Sequence, residues 1–336
     1  MTSLPTLADI YAARKRVSGL VMRTPTIASV LDAAQGVPFH LKLETLQPTG
    51  AFKLRGASNA IERLTAAEAA RGVICCSTGN HGRAVSFAAA RRGIRAIVCL
   101  SELVPEVKVN AITALGAEVR RIGQSQDEAE VEVQRLIDTE GVTNIHPFDN
   151  FDVMCGQGTI GIELFEDIPH LETLLIPLSG GGLAGGVALA AKSLNPRMRV
   201  IGISMDRGAA MAASLAAGHP VEVTEVPSLA DSLGGGIGLN NSYTLAACQQ
   251  YLDDVVLLTE QEIYDGMRAL FMQDKLVAEG ASAVAHAAIL AGRVTLTGPT
   301  ATVISGRNVD MTQFSAVAAG LPVALGDLTV KGPDLG

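Results

Sequence analysis

One stretch limits the architecture more than any other. Residues 173–178 form an uncharged apolar run, residues 179–186 read Ser-Gly-Gly-Gly-Leu-Ala-Gly-Gly, and an Ala-rich run with helical spacing continues to Ser193. Strand, glycine turn and helix in that order make a βα unit, which calls for parallel neighbours and right-handed crossovers. Glycines let the backbone approach a ligand closely and aim several N–H groups at it, and the helix start adds positive potential. In form the turn is a phosphate cradle. Gly180, Gly182 and Gly185 also satisfy the G-x-G-x-x-G spacing of a dinucleotide site, with Asp206 after the next strand-like run where a ribose-binding acid would stand. A purely structural turn is the plain alternative. The uncharged run 174–191 is long enough to raise a membrane span, but Pro177, Ser179 and its glycines favour strand, turn and helix.

The same alternation fills the rest of the chain. Strand-like runs at 73–76, 95–100 and 118–122 are separated by helical patterns at 80–92, 105–115 and 127–139. A second series follows His146-Pro147, with a helix over 158–165, strands at 173–178, 199–205, 255–259 and 301–305, and a helix over 260–273 whose first turn is acidic. The reading is an α/β protein with parallel-rich twisted sheets flanked by helices, and 336 residues suggest two lobes. The Gly/Pro-rich segment after Leu321 reads as a loosely held tail. A net charge of −8, no Trp and 4% aromatic residues argue against nucleic-acid binding, which wants clustered cations and stacking rings. The five cysteines are odd in number and form no C-x-x-C pair, so neither a disulfide framework nor a zinc site is expected, and a reducing cytoplasm fits. Charges at Asp9, Arg14, Lys15 and Arg16 leave no apolar core for a signal peptide.

Three further segments carry chemistry. In 49–57, Thr-Gly-Ala-Phe-Lys-Leu-Arg-Gly-Ala, Lys53 lies between Phe52 and Leu54 and near two glycines. A lone lysine is ordinarily a solvated surface charge, but in apolar company its amine sheds its proton, as Schiff-base chemistry requires. In 77–82, Ser-Thr-Gly-Asn-His-Gly, a strand joins a helix, and the N–H groups and hydroxyls there suit a carboxylate. His81 could be a base or a structural residue, and Ser77 or Thr78 a simple N-cap. Ser305-Gly306-Arg307-Asn308 ends a late strand, so Ser305 is placed either to touch a ligand or to form a turn.

Taken together, TGAFKLRGA (49–57), STGNHG (77–82), VPEVKVNAITALGAEV (104–119), HPFDNFDVMCGQGTIGIEL (146–164), SGGGLAGG (179–186) and ISGRNVD (304–310) resemble, in order and spacing over residues 5–320, the threonine dehydratase and serine racemase family of fold type II pyridoxal-phosphate enzymes. The resemblance implies a tryptophan-synthase-β-like fold in two domains. A large cofactor-binding domain would take residues 1–69 and 150–322, a small mobile one 70–149, and the tail 323–336. It makes Lys53 the lysine linked to pyridoxal 5′-phosphate, with Phe52 packed by the ring and Asn80 donating to the cofactor's phenolic oxygen. Gly180, Gly181, Gly182 and Leu183 would give backbone N–H groups to the phosphate, and Ser305 would face the pyridine nitrogen. Ser77, Thr78, Gly79 and His81 fall where the family holds the substrate carboxylate. The implied reaction is removal of an α-proton by Lys53, loss of a β-hydroxyl, and hydrolysis of the product to a 2-keto acid and ammonia. L-Threonine or L-serine would be the substrate and a homodimer or homotetramer the assembly.

The chain also departs from the family pattern. Ser179 replaces the usual Gly or Ala, Arg307 stands where SGGN is usual, and residues 230–236 read ADSLGGG. An Arg beside the site suits an acidic or otherwise unusual substrate group. The run 204–210 holds one acid, so the divalent metal site of the racemases is not expected. Thr78 occupies the place of the racemases' far-face serine, which leaves racemisation as an alternative. At 336 residues the regulatory domain of the biosynthetic dehydratases is not expected. SGRN with SLGGGIG resembles the hydroxyectoine-utilisation dehydratases, whose substrate would be a hydroxylated diaminobutyrate. A non-catalytic cofactor-binding protein and a nicotinamide oxidoreductase are the readings from other classes.

Overall fold

The computed structural model describes residues 3–31, 36–77, 79–104, 106–124 and 126–332. Its strands are β1 (Thr26–Ala28), β2 (Phe39–Leu43), β3 (Val73–Cys76), β4 (Ala96–Leu100), β5 (Glu118–Arg121), β6 (Thr143–Asn144), β7 (Thr173–Pro177), β8 (Arg199–Met205), β9 (Asp254–Leu258), β10 (Thr300–Ile304), β11 (Val323–Leu325) and β12 (Leu328–Val330). A six-stranded sheet has the order β1-β2-β10-β7-β8-β9, parallel throughout except for β1 at one edge. A four-stranded sheet, β5-β4-β3-β6, is wholly parallel. Sequence explains the order. The unbroken apolar runs of β3, β4 and β7 are buried on both faces and sit inside their sheets, whereas the charged β5 and β9 lie at edges.

The segments singled out by sequence all leave the carboxyl ends of strands, as ligand-binding loops do in open α/β sheets. Residues 44–52 follow β2, 77–79 follow β3, 179–181 follow β7 and 305–308 follow β10. Pairing of Leu43 with Ile304 sets the ends of β2 and β10 side by side, and a bridge from Ala51 to Gly306 extends the contact.

Two expectations are corrected. The helix expected over 158–165 runs Phe151–Asp167. Its glycines are close-packing positions and not breaks: a Cβ on Gly156 would lie 2.5 Å from the Arg55 carbonyl oxygen, and one on Gly161 2.8 Å from Ala190 Cβ. The helix can therefore press against both Lys53–Glu62 and Gly182–Leu194. The expected loose tail forms, through residue 332, an antiparallel β11–β12 hairpin that buries Val323, Leu325 and Val330 in the main core. Alternation of those apolar residues outweighs the neighbouring Gly and Pro. Among the described residues no helix is long and apolar enough to cross a membrane.

Candidate active site

Lys53 opens the helix Lys53–Glu62 directly after a loop sewn to the end of β10. Phe52 N–H donates to Ser305 O at 2.9 Å, Arg307 N–H donates to Gly50 O at 2.9 Å, and Gly50 takes the left-handed conformation (φ 77°) that the loop needs. The Lys53 side chain is partly buried. Its ammonium nitrogen donates to Pro147 O at 2.6 Å and lies 5.4 Å from the Phe52 ring centroid. No carboxylate among the described residues pairs with it, so burial alone pulls its pKa down to about 8. Near neutral pH such an amine gives up its proton far more readily than a solvated lysine does, and the uncharged form is what a Schiff-base lysine and a carbon base both require.

The glycine turn has one side filled and its N–H groups bare. A Cβ on Gly180 would lie 2.4 Å from the Phe148 ring, one on Gly182 2.9 Å from Phe148 Cα, and Gly181 has φ 86°. Gly185 N–H returns to Gly181 O at 2.7 Å, while the N–H groups of Gly180, Gly181, Gly182, Leu183 and Ala184 meet no acceptor among the described residues. Five other helix starts are closed by side chains, from Thr6, Thr65, Asn150, Thr259 and Asp310. The bare start at Gly181 is thus an anion cradle.

The helix Asn80–Arg91 starts the same way, with Gly79 as a cap that has no side chain. Of the two hydroxyls read as alternatives for an N-cap, that of Ser77 accepts from Gly79 N–H at a long 3.4 Å. Thr78, read as a catalytic and substrate-binding residue, lies outside the described residues. The His81 ring is buried and its Nε2 pairs with Ile145 O at 2.6 Å. Burial, helped by the nearby Lys53, drops its pKa to about 3, so the ring is neutral and Nε2 is the donor. Its imidazole ties the helix to the chain after β6 and is no proton carrier near neutral pH.

Several site residues escaped the sequence reading. Glu279, the N-cap of helix Gly280–Leu290, is buried against the loop after β10. Its carboxylate accepts from Asn80 Nδ2 at 2.9 and 3.0 Å, from Asn308 N–H at 2.8 Å and from Ser232 Oγ at 3.0 Å. Asn308 Nδ2 donates to Asn80 Oδ1 at 2.6 Å and to Thr49 O at 2.9 Å. Ser305 Oγ lies 3.0 Å from Ser282 Oγ, which also bonds both backbone polar atoms of Gly306. The 146–149 loop supplies three supports. Pro147 O holds Lys53 and Phe148 backs the glycine turn, while the Asp149 carboxylate accepts the N–H groups of Ser242, Tyr243 and Thr244 at 2.6, 2.8 and 3.0 Å. Arg307 is exposed, and among the described residues no three His, Cys, Asp or Glu side chains gather to hold a metal ion.

A desolvated lysine, a glycine turn with bare amides and a second helix start without a side-chain cap are thus carried by strand ends of both sheets. The sequence profile of pyridoxal-phosphate dependent enzymes matches residues 17–306. The chain belongs to that family. Its fold is the α/β fold type II of these enzymes, and the dinucleotide reading of the glycine turn falls with this match. A Sinorhizobium fredii protein carrying a provisional threonine dehydratase name is 52% identical, over 94% of this chain and 96% of that one. The L-threonine ammonia-lyase of Thermotoga maritima is 39% identical, over 93% of this chain and 78% of that one. Among solved structures, maize serine racemase superposes with a TM-score of 0.87 at 32% identity, covering 92% of this chain and 95% of that one. The residues present fit pyridoxal phosphate, since the Gly180–Ala184 amides lack an acceptor among the described residues and burial lowers the pKa of the Lys53 amine to about 8.

Proposed function

We propose that this pyridoxal-phosphate enzyme is a dehydratase and ammonia-lyase of small β-hydroxy amino acids of the L-threonine and L-serine type. One observation carries the proposal: a lysine with a pKa near 8 shares a site with two helix starts that have no side-chain cap. Bound through its phosphate and aldehyde, the cofactor supplies an electron sink for the α-carbon. The amides of Gly180, Gly181, Gly182 and Leu183 hold the phosphate, Phe52 packs by the ring, Asn80 donates to the phenolic oxygen, and Ser305 faces the pyridine nitrogen. The segment Ser77 to His81 receives the substrate carboxylate, through backbone N–H groups and hydroxyls and not through the His81 ring. Lys53, uncharged, takes the α-proton. The β-hydroxyl leaves as water, and hydrolysis of the released enamine consumes one water and frees ammonia, so the net products are a 2-keto acid and ammonia.

The dehydratase and ammonia-lyase names of the relatives support this substrate class. Likeness to maize serine racemase supports racemisation as a second activity of the same site. In this reading residues 70–149 form a small mobile domain against 1–69 and 150–322, supported by the separate sheet over 73–144. The protein would assemble as a homodimer or homotetramer and work in the cytoplasm, where its five cysteines would stay reduced. The exposed Arg307 makes larger hydroxy amino acids, hydroxylated diaminobutyrate among them, part of the substrate panel.

The test follows keto acid and ammonia from L-threonine, L-serine and that panel. Equimolar keto acid and ammonia are expected. Inversion at the α-carbon with no ammonia would replace lyase by racemase, and bound cofactor with no turnover of any member would leave a binding protein. Borohydride reduction followed by peptide mapping is expected to find the cofactor on Lys53.

A further inference from the structure

Glu279 belongs to none of the segments that sequence marked, yet three parts of the molecule converge on it. Asn80 comes from the helix after β3, Asn308 from the loop after β10, and Ser232 from the short turn Asp231–Leu233. Glycine is required at Gly306 for this knot to close, because a Cβ there would lie 2.5 Å from Glu279 Oε1 and 3.2 Å from Asn80 Nδ2. No Lys or Arg pairs with the carboxylate among the described residues, so neutral donors alone satisfy it, and burial raises its pKa. A proton on Oε2 could pass only to Ser232 Oγ, so Oε1 remains an acceptor in either state.

An asparagine amide has a donor end and an acceptor end that sterics barely distinguish. Here the distinction is made chemically. Asn308 Nδ2 can only donate and meets Asn80 Oδ1, while Glu279 Oε1 accepts and meets Asn80 Nδ2. Flipping the Asn80 amide would set donor against donor at one end and acceptor against acceptor at the other. The two carboxylate oxygens are nearly equidistant from Asn80 Nδ2 and subtend a narrow angle there, so one hydrogen serves both and the second N–H stays uncommitted.

We infer that Glu279 is a positioning residue that, with Asn308, fixes the amide orientation of Asn80 and so presents an N–H, not a carbonyl, to the cofactor's phenolic oxygen. The inference rests on the proposed role of Asn80. The role of Glu279 is indirect: it sets cofactor affinity through Asn80 and does not touch the reacting carbon.

The test uses cofactor-free full-length protein and pyridoxine 5′-phosphate, which has the phosphate and phenolic oxygen but cannot link to Lys53. Binding is measured by calorimetry, with a thermal melt of each variant as fold control. Glu279→Ala is expected to weaken binding about tenfold, and Glu279→Gln, which keeps an acceptor at Oε1, no more than about threefold. In an Asn80→Ala background, Glu279→Ala is expected to change nothing further. Should Glu279→Ala fail to fold, Asn308→Asp gives the same reading, because it sets an acceptor against Asn80 Oδ1. Its loss is expected only where Asn80 is present. Wild-type affinity in Glu279→Ala, or a loss that adds in full to that of Asn80→Ala, overturns the inference. If Asn80→Ala alone binds as wild type, the assignment of Asn80 fails first, and that result is distinct.

Discussion

Lys53 and Arg55 stand two residues apart on one helix, and the protein gives them opposite electrostatics. Residues i and i+2 point about 200° apart around a helix, so the two cations face different neighbourhoods. Arg55 turns inward. Its Nε and Nη2 donate to the two oxygens of Glu44, both at 2.8 Å, and its Nη1 and Nη2 donate to the two oxygens of Glu163 at 2.7 and 2.9 Å. Thr159 Oγ1 and Met22 O take further donors, and Lys42 pairs with Glu163 at 2.8 Å to balance the charge. Burial alone would lower the Arg55 pKa, but Glu44 and Glu163 outweigh it and hold the guanidinium above its ordinary range. Lys53 turns to the cleft, where it meets one carbonyl and an aromatic ring, and burial wins. Burial by itself therefore sets neither function nor stability; the presence or absence of a carboxylate decides.

The strongest way to break this comparison is to remove each cation in turn. Lys53→Ala is expected to cut keto-acid formation at least ~10³-fold, since the residue is proposed as both cofactor link and base, while the cofactor-free protein loses none of its unfolding midpoint, the cost of the buried charge being relieved. Retained turnover would end the assignment. Arg55→Met is expected to do the reverse, with urea unfolding of the cofactor-free protein showing a loss of about 3–5 kcal/mol, because two buried carboxylates lose their partner. Arg55→Lys is expected to restore little of it, as an ammonium cannot serve two carboxylates bidentately. A stable Arg55→Met protein would show the network to be dispensable.

A finer test is pH. Because the folded pKa of Lys53 is lowered to about 8, the amine is protonated below that value in folded and unfolded chains alike, and the cost of burying the charge is then present in full. As pH rises from about 8 toward the unfolded value near 10.4, the folded chain sheds its proton first and stability is regained. The rate at which cofactor-free protein captures pyridoxal phosphate is expected to rise with pH and level off just above 8. Levelling near 10.4 would mean the amine is solvated.

Local signals made much of this legible. The apolar runs of β3, β4, β7 and β8, the glycine turn and Lys53 between Phe52 and Leu54 announce themselves within a few residues. What escaped was long-range. Asn80 meets Glu279 across 199 positions and Asn308 meets Thr49 across 259, and no window spans either pair. The helix over 158–165 was legible but its start at Phe151 was not, and the carbonyls and side chains that Gly156, Gly158 and Gly161 admit belong to other elements.

The sequence by itself determined the βα alternation, the bare helix starts at Gly79 and Gly181, and the apolar company of Lys53 along the chain, because backbone freedom and hydrophobic period are local properties. The tertiary structure alone decided that Glu44 and Glu163 face Arg55 while Lys53 is left with a carbonyl, and that Glu279 and Asn308 close on Asn80. Desolvation and hydrogen bonding act over a few ångströms of space, whatever the distance along the chain.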